Sequence, residues 1–297
     1  MSECWHRPTA LEDSDMTDIP IKPITPNLGV NILISADHLL DEGVPEKCLE
    51  LLNAHGVIVF PQINCSDEVQ IAFSNRLGKM QSSLVSAGSD NKADKMGIYP
   101  VTLDKTRVKN LDYIYSNEHW HIDGTKYAIP PKATNLKCEQ APSSGGDTGF
   151  ANLFAAYRDL PDSKKLPLEN LRVVHTAAAA VSRYYPNPTE EDFQRWQKDG
   201  PPTEQPLVWK QKDGRRSLVI GSTAEYIVGM DPKESRALLD ELLEFATQEK
   251  YCYRHQWKKG DMVIWNNCGL LHKAYPYTED SGRLMHRTTI MGTEAFA

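Results

Sequence analysis

The sequence has no unbroken apolar stretch near the roughly 18 residues that a membrane-spanning helix needs, and its first residues, MSECWHRPTALEDSDMTD, carry no apolar core behind their basic positions. Neither a secretory signal nor a membrane anchor is expected, and a cytoplasmic location follows. No run of lysine or arginine interrupts a net charge of −7, which argues against a nucleic-acid partner held through phosphate contacts. The six cysteines, Cys4, Cys48, Cys65, Cys138, Cys252 and Cys268, are scattered without a C-x-x-C pair. Structural zinc needs closely spaced ligands, so reduced core thiols are expected instead. A phosphate-cradling loop is missing too, because Ser143–Gly149 (SSGGDTG) lacks the lysine and the spacing of a Walker sequence. Internal repeats and low-complexity segments are absent.

What is present is an ordinary globular composition, 40% hydrophobic and 25% charged over 297 residues, enough to bury one large core. Residues 1–25 are polar and punctuated by proline and read as a flexible arm; 26–297 reads as a single domain. Cys48, Leu49, Leu51 and Leu52 predict an amphipathic helix ended by Gly56, and Val57–Phe60 a buried strand. Ser66 is placed to cap a second helix with Val69, Phe73 and Leu77 on one face. Asp231, Pro232 and Glu234 start a third, carrying Leu238, Leu239, Leu242, Leu243 and Ala246. Short β-like runs at 133–138, 170–175, 206–209, 217–220 and 262–265 predict a sheet-rich core. The charged, proline-rich stretch 187–202 suits a surface excursion or lid.

The chemistry-bearing residues cluster in Asn117–Thr125 (NEHWHIDGT), where His119, His121 and Asp123 alternate. If this segment is extended, the two-residue side-chain period puts all three on one face, so a histidine and a carboxylate could reach one ion. A third ligand is offered by His272 in NNCGLLHKAY, at the end of the strand expected from Asp261–Trp265. Two imidazoles and one carboxylate, with other positions open, suit non-haem iron(II) that must also bind a chelating co-substrate and oxygen. A zinc hydrolase can use the same residue types. A keto acid that chelates iron needs a cationic clamp for its distant carboxylate, and the planar fork of arginine grips carboxylate bidentately. Arg283 and Arg287, in SGRLMHRTTIMG, lie shortly after His272, and a strand beginning near Leu284 would let both project inward. The alternative is an exposed basic pair.

WHID at Trp120–Asp123, PSSGGDT at Pro142–Thr148 followed by Ala155-Ala156-Tyr157 and Leu160-Pro161, WNNCGLLH at Trp265–His272, and RLMHR at Arg283–Arg287 occur in one order. In this combination the chain closely resembles the taurine/2,4-dichlorophenoxyacetate dioxygenase family across 27–293. The resemblance implies a mainly-β double-stranded β-helix, a jelly roll with flanking helices whose mouth holds the metal. It implies His121, Asp123 and His272 as iron(II) ligands, Thr148 and Arg283 as holders of the distal carboxylate of 2-oxoglutarate, and a supporting role for His119. The implied reaction consumes O2, converts 2-oxoglutarate to succinate and CO2, and oxidises a small molecule, by default hydroxylating it. Family members are often oligomers, so a homo-oligomer is allowed.

Arg287 matches a family arginine that faces an anionic head group, and Asn117 a substrate-contacting asparagine, so a small anionic substrate is expected. The run Arg76-Leu77-Gly78-Lys79-Met80-Gln81-Ser82-Ser83-Leu84 and the alanine-rich Thr176–Val181 depart from the taurine enzymes. Phe245–Trp257, Gly260–Trp265, Pro206–Val208 and Gly214–Ile220 look more like the phenoxyacetate branch. A carboxylate with an aromatic or branched apolar body is the leading substrate class, in a pocket made wider if Ala180 and Val181 line it. Lys126, just after HIDGT, either assists Arg287 or, as the favoured reading, is an exposed lysine. The rival readings are a sulfonate or sulfate-ester dioxygenase, a biosynthetic oxidase that desaturates or cyclises, and a non-catalytic jelly-roll binding module.

Overall fold

The runs VIVF (Val57–Phe60) and MVIW (Met262–Trp265) lack polar alternation because both faces of the sheet they share are covered. Val57, Val59, Val263 and Trp265 face inward with Leu28, Leu136, Phe150, Leu270 and Met285. Ile58, Phe60, Met262 and Ile264 face the opposite side, with Cys48, Leu52, Phe73 and Leu77 of the covering helices. A strand buried on both faces reads as a near-continuous apolar run.

The computed structural model describes residues 19–81, 97–108, 111–185, 187–198 and 201–297. A seven-stranded sheet runs in the order Ile21–Pro23, Val30–Ile32, Val57–Phe60, Met262–Asn266, Ala133–Gln140, Leu284–Ile290, Tyr99–Val101. Facing it is a three-stranded sheet in the order Cys252–His255, Thr148–Asn152, Leu270–Ala274. Phe150 and Leu270 of the smaller sheet pack against Val57, Trp265 and Met285 of the larger one. The two facing sheets form the jelly roll that the resemblance implies. A second three-stranded sheet, Ala224–Ile227, Arg172–His175 and Thr203–Pro206, extends the structure to one side.

The helices follow their sequence signals. Val44–His55 ends at Gly56, whose φ of 74° and N–H to the Leu52 carbonyl close the last turn. A side chain there would meet methyl carbons of Leu28 and Leu270 at 3.2 Å, so the glycine serves both the backbone conformation and the packing. Ser66 caps Asp67–Leu77 by accepting from the Val69 N–H. Asp231 caps Pro232–Ala246 by accepting from the Lys233 and Glu234 N–H groups, and Leu239, Leu242 and Ala246 bury its apolar stripe. Among the described residues no helix is long and apolar enough to cross a membrane.

Three expectations are modified. Ile21–Pro23, assigned to the arm, is a strand paired antiparallel with Val30–Ile32; residues 1–18 of the arm lie outside the described residues. The stretch 187–202 contains the helix Glu190–Gln197, started by a Thr189/Asp192 capping box. Its Trp196 is buried against Ala178 and Val181, because an indole of that size gains more by packing than it loses in ordering. His272 sits in the middle of Leu270–Ala274, not at a strand end. Ser82–Leu84 lie outside the described residues.

Replacing a carboxylate N-cap by alanine costs about 1 kcal/mol. Asp231→Ala should lower stability by that amount in chemical denaturation and Asp231→Asn by much less; equal losses would show that the cap bonds to Lys233 and Glu234 do not stabilise the helix.

Candidate metal centre

The smaller sheet gains one further backbone pairing at its edge. His121 and His272 exchange both N–H···O bonds, at 3.0 and 2.9 Å. Directly opposed residues share a face of the sheet, so the two imidazoles lie side by side with ring centroids 4.1 Å apart. The His121 Nδ1–H donates to the His119 carbonyl at 2.8 Å, which leaves the lone pair of a neutral ring on Nε2. Asp123 Oδ1 stands 3.8 Å from His121 Nε2 and 3.7 Å from His272 Nε2. Ligand atoms of the three residues lie within 4.8 Å of one another.

The structure thus brings His121, Asp123 and His272 together, but not through a continuous strand. His121 forms a single bridge and Asp123 begins a turn. His119 supports the cluster through its backbone carbonyl. A second acidic group, Asp67, Glu139 and His286, is already served by the Lys137 ammonium, 2.6 Å from Asp67 and 2.7 Å from Glu139.

Charge in the first cluster is arranged for a cation. Burial would raise the Asp123 pKa, but His272, Arg287 and His121, with a hydrogen bond from Thr134, hold it below the usual carboxylate range. Burial pushes both histidines down, and for His272 the neighbouring His121 adds to the effect. At neutral pH the set is one carboxylate and two neutral imidazoles, the donor combination that non-haem iron(II) takes. The residues therefore fit the metal.

Two cavities meet at this cluster, and Asn117, His121 and Arg287 line both. The smaller, about 50 Å³, is bordered by Thr148, Trp265, His272, Tyr277 and Arg283. Arg283 is buried, donates from Nε to the Gly146 carbonyl at 3.0 Å, and keeps a buried Nη1 without a partner. Trp257 Nε1 donates to Thr148 Oγ1 at 2.9 Å, so the Thr148 hydroxyl proton is left to point elsewhere. An unpaired guanidinium N–H and a hydroxyl beside one small cavity fit a carboxylate. Gly146 makes this approach possible: its φ is 67°, and a Cβ would meet Arg283 Cδ at 2.8 Å.

The larger cavity, about 170 Å³, has apolar walls from Ile122, Ala177, Ala180 and Val181 and polar groups from Lys126, His175 and Thr223. Lys126 is half-buried and lines this cavity, so it is not the exposed lysine expected from sequence. Arg287 is buried with its guanidinium carbon 5.0 Å from the Tyr99 ring centroid and 5.7 Å from that of Tyr113. Both arginines are buried, not an exposed pair: Arg287 shares a face of the Leu284–Ile290 strand with Met285, and Arg283 immediately precedes that strand. Sequence reading missed Tyr99, Tyr113, Thr134, Trp257 and Asn267. Tyr99, Tyr113 and Thr134 lie outside the motifs, whereas Asn267 stands inside WNNCGLLH and Trp257 ends Phe245–Trp257, where residue identity alone does not show what the side chain reaches.

Fold and site fit a metal-dependent enzyme of the jelly-roll class, and comparison with known proteins supplies the family and the activity. The model of the taurine catabolism dioxygenase TauD, TfdA family matches residues 20–289. The chain is 34% identical over 245 residues to an (S)-phenoxypropionate/alpha-ketoglutarate-dioxygenase of Sphingobium herbicidovorans, covering 81% of this chain and 84% of the relative. It is 33% identical over 251 residues to an alpha-ketoglutarate-dependent 2,4-dichlorophenoxyacetate dioxygenase of a Burkholderia species, covering 81% and 83%. The crystal structure of AAD-2 in complex with Mn(II) and N-oxalylglycine superposes with a TM-score of 0.77 at 26% identity, over 94% of this chain and 99% of that one. The chain belongs to the TauD/TfdA family, and it is a dioxygenase that uses iron(II), 2-oxoglutarate and O2.

The buried histidines give stability a pH signature. Burial depresses His175 to about 4 and lowers His121 and His272, while the unfolded chain titrates near 6.5. Between these values the unfolded state binds protons that the folded state refuses, so folded stability falls as pH drops through that window. The urea midpoint of metal-free protein should decline from about pH 6.5 towards 5; a constant midpoint would contradict the buried neutral assignment.

Proposed function

We propose that the protein oxidises a small carboxylate bearing an aromatic or branched apolar body, with His121, Asp123 and His272 holding iron(II), Thr148 and Arg283 holding the distal carboxylate of 2-oxoglutarate, and Asn117 and Arg287 contacting the substrate. The observation that carries this reading is the meeting of two unlike cavities at one group of potential metal ligands. The small cavity is polar where Arg283 and Thr148 border it. The larger one has an apolar wall of small side chains and a buried arginine at the metal end.

Bound iron(II), with 2-oxoglutarate and O2, supplies the oxidising power that yields succinate, CO2 and the oxidised substrate. The protein's own groups position and exclude. Arg283, itself buried, neutralises a carboxylate where a charge-assisted bond is stronger than in solution. Arg287, held on two tyrosine rings, presents a cation to an anionic substrate while also offsetting the Asp123 charge. Ala177, Ala180 and Val181 leave room for a ring or branched body beside the metal. The similar proteins named for phenoxypropionate and 2,4-dichlorophenoxyacetate support this class.

Anaerobically iron-loaded protein, given 2-oxoglutarate and a panel of phenoxyalkanoates, other arylcarboxylates, sulfonates and sulfate esters, should release succinate on admission of oxygen in step with an arylcarboxylate, and His272→Ala should abolish it. Succinate coupled to sulfonates alone would overturn the carboxylate assignment.

Removing one partner of a buried, hydrogen-bonded charge pair costs at least about 2 kcal/mol, roughly 30-fold. Arg283→Met should therefore raise the KM for 2-oxoglutarate by roughly 30-fold or more, whereas Arg287→Met should act mainly on the KM for the substrate. Steady-state kinetics with each reactant varied would show the split; the reverse pattern would exchange the two roles.

A further inference from the structure

Asp123 has two carboxylate oxygens and they are treated differently. Oδ1 faces the two histidines at 3.8 and 3.7 Å. Oδ2 receives a hydrogen bond from Thr134 Oγ1 at 3.0 Å. Thr134 is fully buried on the Ala133–Gln140 strand and in turn accepts from Asn267 Nδ2 at 2.9 Å. Asn267 is also buried, just past the Met262–Asn266 strand, with its backbone N–H bonded to the Lys132 carbonyl at 3.0 Å.

The direction of this chain follows from chemistry. An ionised carboxylate only accepts, so the shared proton on the Thr134–Asp123 contact is that of the threonine. With its proton committed, Thr134 Oγ1 can only accept from its other partner, which requires the amide nitrogen of Asn267. The relay therefore points one way, from Asn267 through Thr134 to Asp123. It also bridges the two halves of the barrel. The histidines belong to the smaller sheet, whereas Thr134 and Asn267 belong to the larger one.

We propose that Thr134 and Asn267 are positioning residues that hold Asp123 by Oδ2, so that Oδ1 alone is presented to the metal, and that they thereby set metal affinity. This rests on the assignment of Asp123 as a metal ligand. Partners that orient metal ligands change metal affinity by about 10- to 100-fold when removed.

The test is titration of metal-free protein with Mn(II) alone, followed through the signal of free Mn(II), on the wild type, Thr134→Val, Thr134→Ser and His272→Ala, alongside the melting temperature of each metal-free form. Thr134→Val should raise the Mn(II) dissociation constant by about 10-fold or more, and Thr134→Ser, which keeps the hydroxyl, should restore affinity close to wild type. Wild-type affinity in folded Thr134→Val, or equal weakening in both threonine variants, overturns the proposal. A lower melting temperature in Thr134→Val with unchanged affinity assigns the hydroxyl a structural role only, which also overturns it. His272→Ala separates the two levels: if it too binds Mn(II) like the wild type, the metal-site assignment itself fails, whereas loss of binding in His272→Ala alone leaves that assignment standing and rejects the relay.

Discussion

The reciprocal backbone bridge between His121 and His272 is the constraint on which the rest of the site depends. Two hydrogen bonds between residues far apart in the chain put both imidazoles on one face of the smaller sheet. A side-chain contact could rotate away. A backbone pair cannot do so without unzipping the edge of the sheet, because each buried peptide group needs its partner. The His119 carbonyl then fixes the His121 ring through Nδ1, so for His121 position, face and tautomer are all decided by main-chain atoms.

Around this bridge the structure solves an electrostatic problem. A buried carboxylate is costly unless it is paired, and Asp123 is balanced by Arg287 and by the Thr134 hydroxyl while the histidines stay neutral. Arg283 carries the opposite burden. It is a buried cation supported by a glycine carbonyl and the Tyr277 ring, with one nitrogen unpaired. One half of the mouth thus suits a cation and the other an anion, as the proposed placement of the metal and the dicarboxylate requires.

The wall of the larger cavity links the core to specificity. The helix Ala177–Ser182 places Ala180 and Val181 on the cavity. Trp196 of the helix Glu190–Gln197 packs against Ala178 and Val181 and donates to Asp112 at 3.3 Å, and Asp112 also lines that cavity. The stretch that looks like a charged surface excursion in sequence therefore buttresses the wall of the larger cavity through one buried indole. Composition averaged over sixteen residues hides a single anchor of that kind.

Local chemistry was legible wherever it repeats at short range. The helix caps at Ser66 and Asp231, the glycine stop at Gly56, and the two-sided burial of Val57–Phe60 and Met262–Trp265 follow from propensity and periodicity. The proposed metal set and carboxylate clamp were legible as motifs, because WHID, WNNCGLLH and RLMHR keep the candidate residues beside recognisable neighbours. By itself the sequence determined which residues are candidates to bind a metal and a carboxylate, and which segments fold into strands and helices. Only the tertiary structure decided that His121 would oppose His272, that Asp123 would be reached from Thr134 and Asn267, that Trp257 would orient Thr148, and that Tyr99 and Tyr113 would hold Arg287. Those pairings join residues on separate strands and loops, and strand register, unlike helix periodicity, leaves no trace in the spacing of residues along the chain.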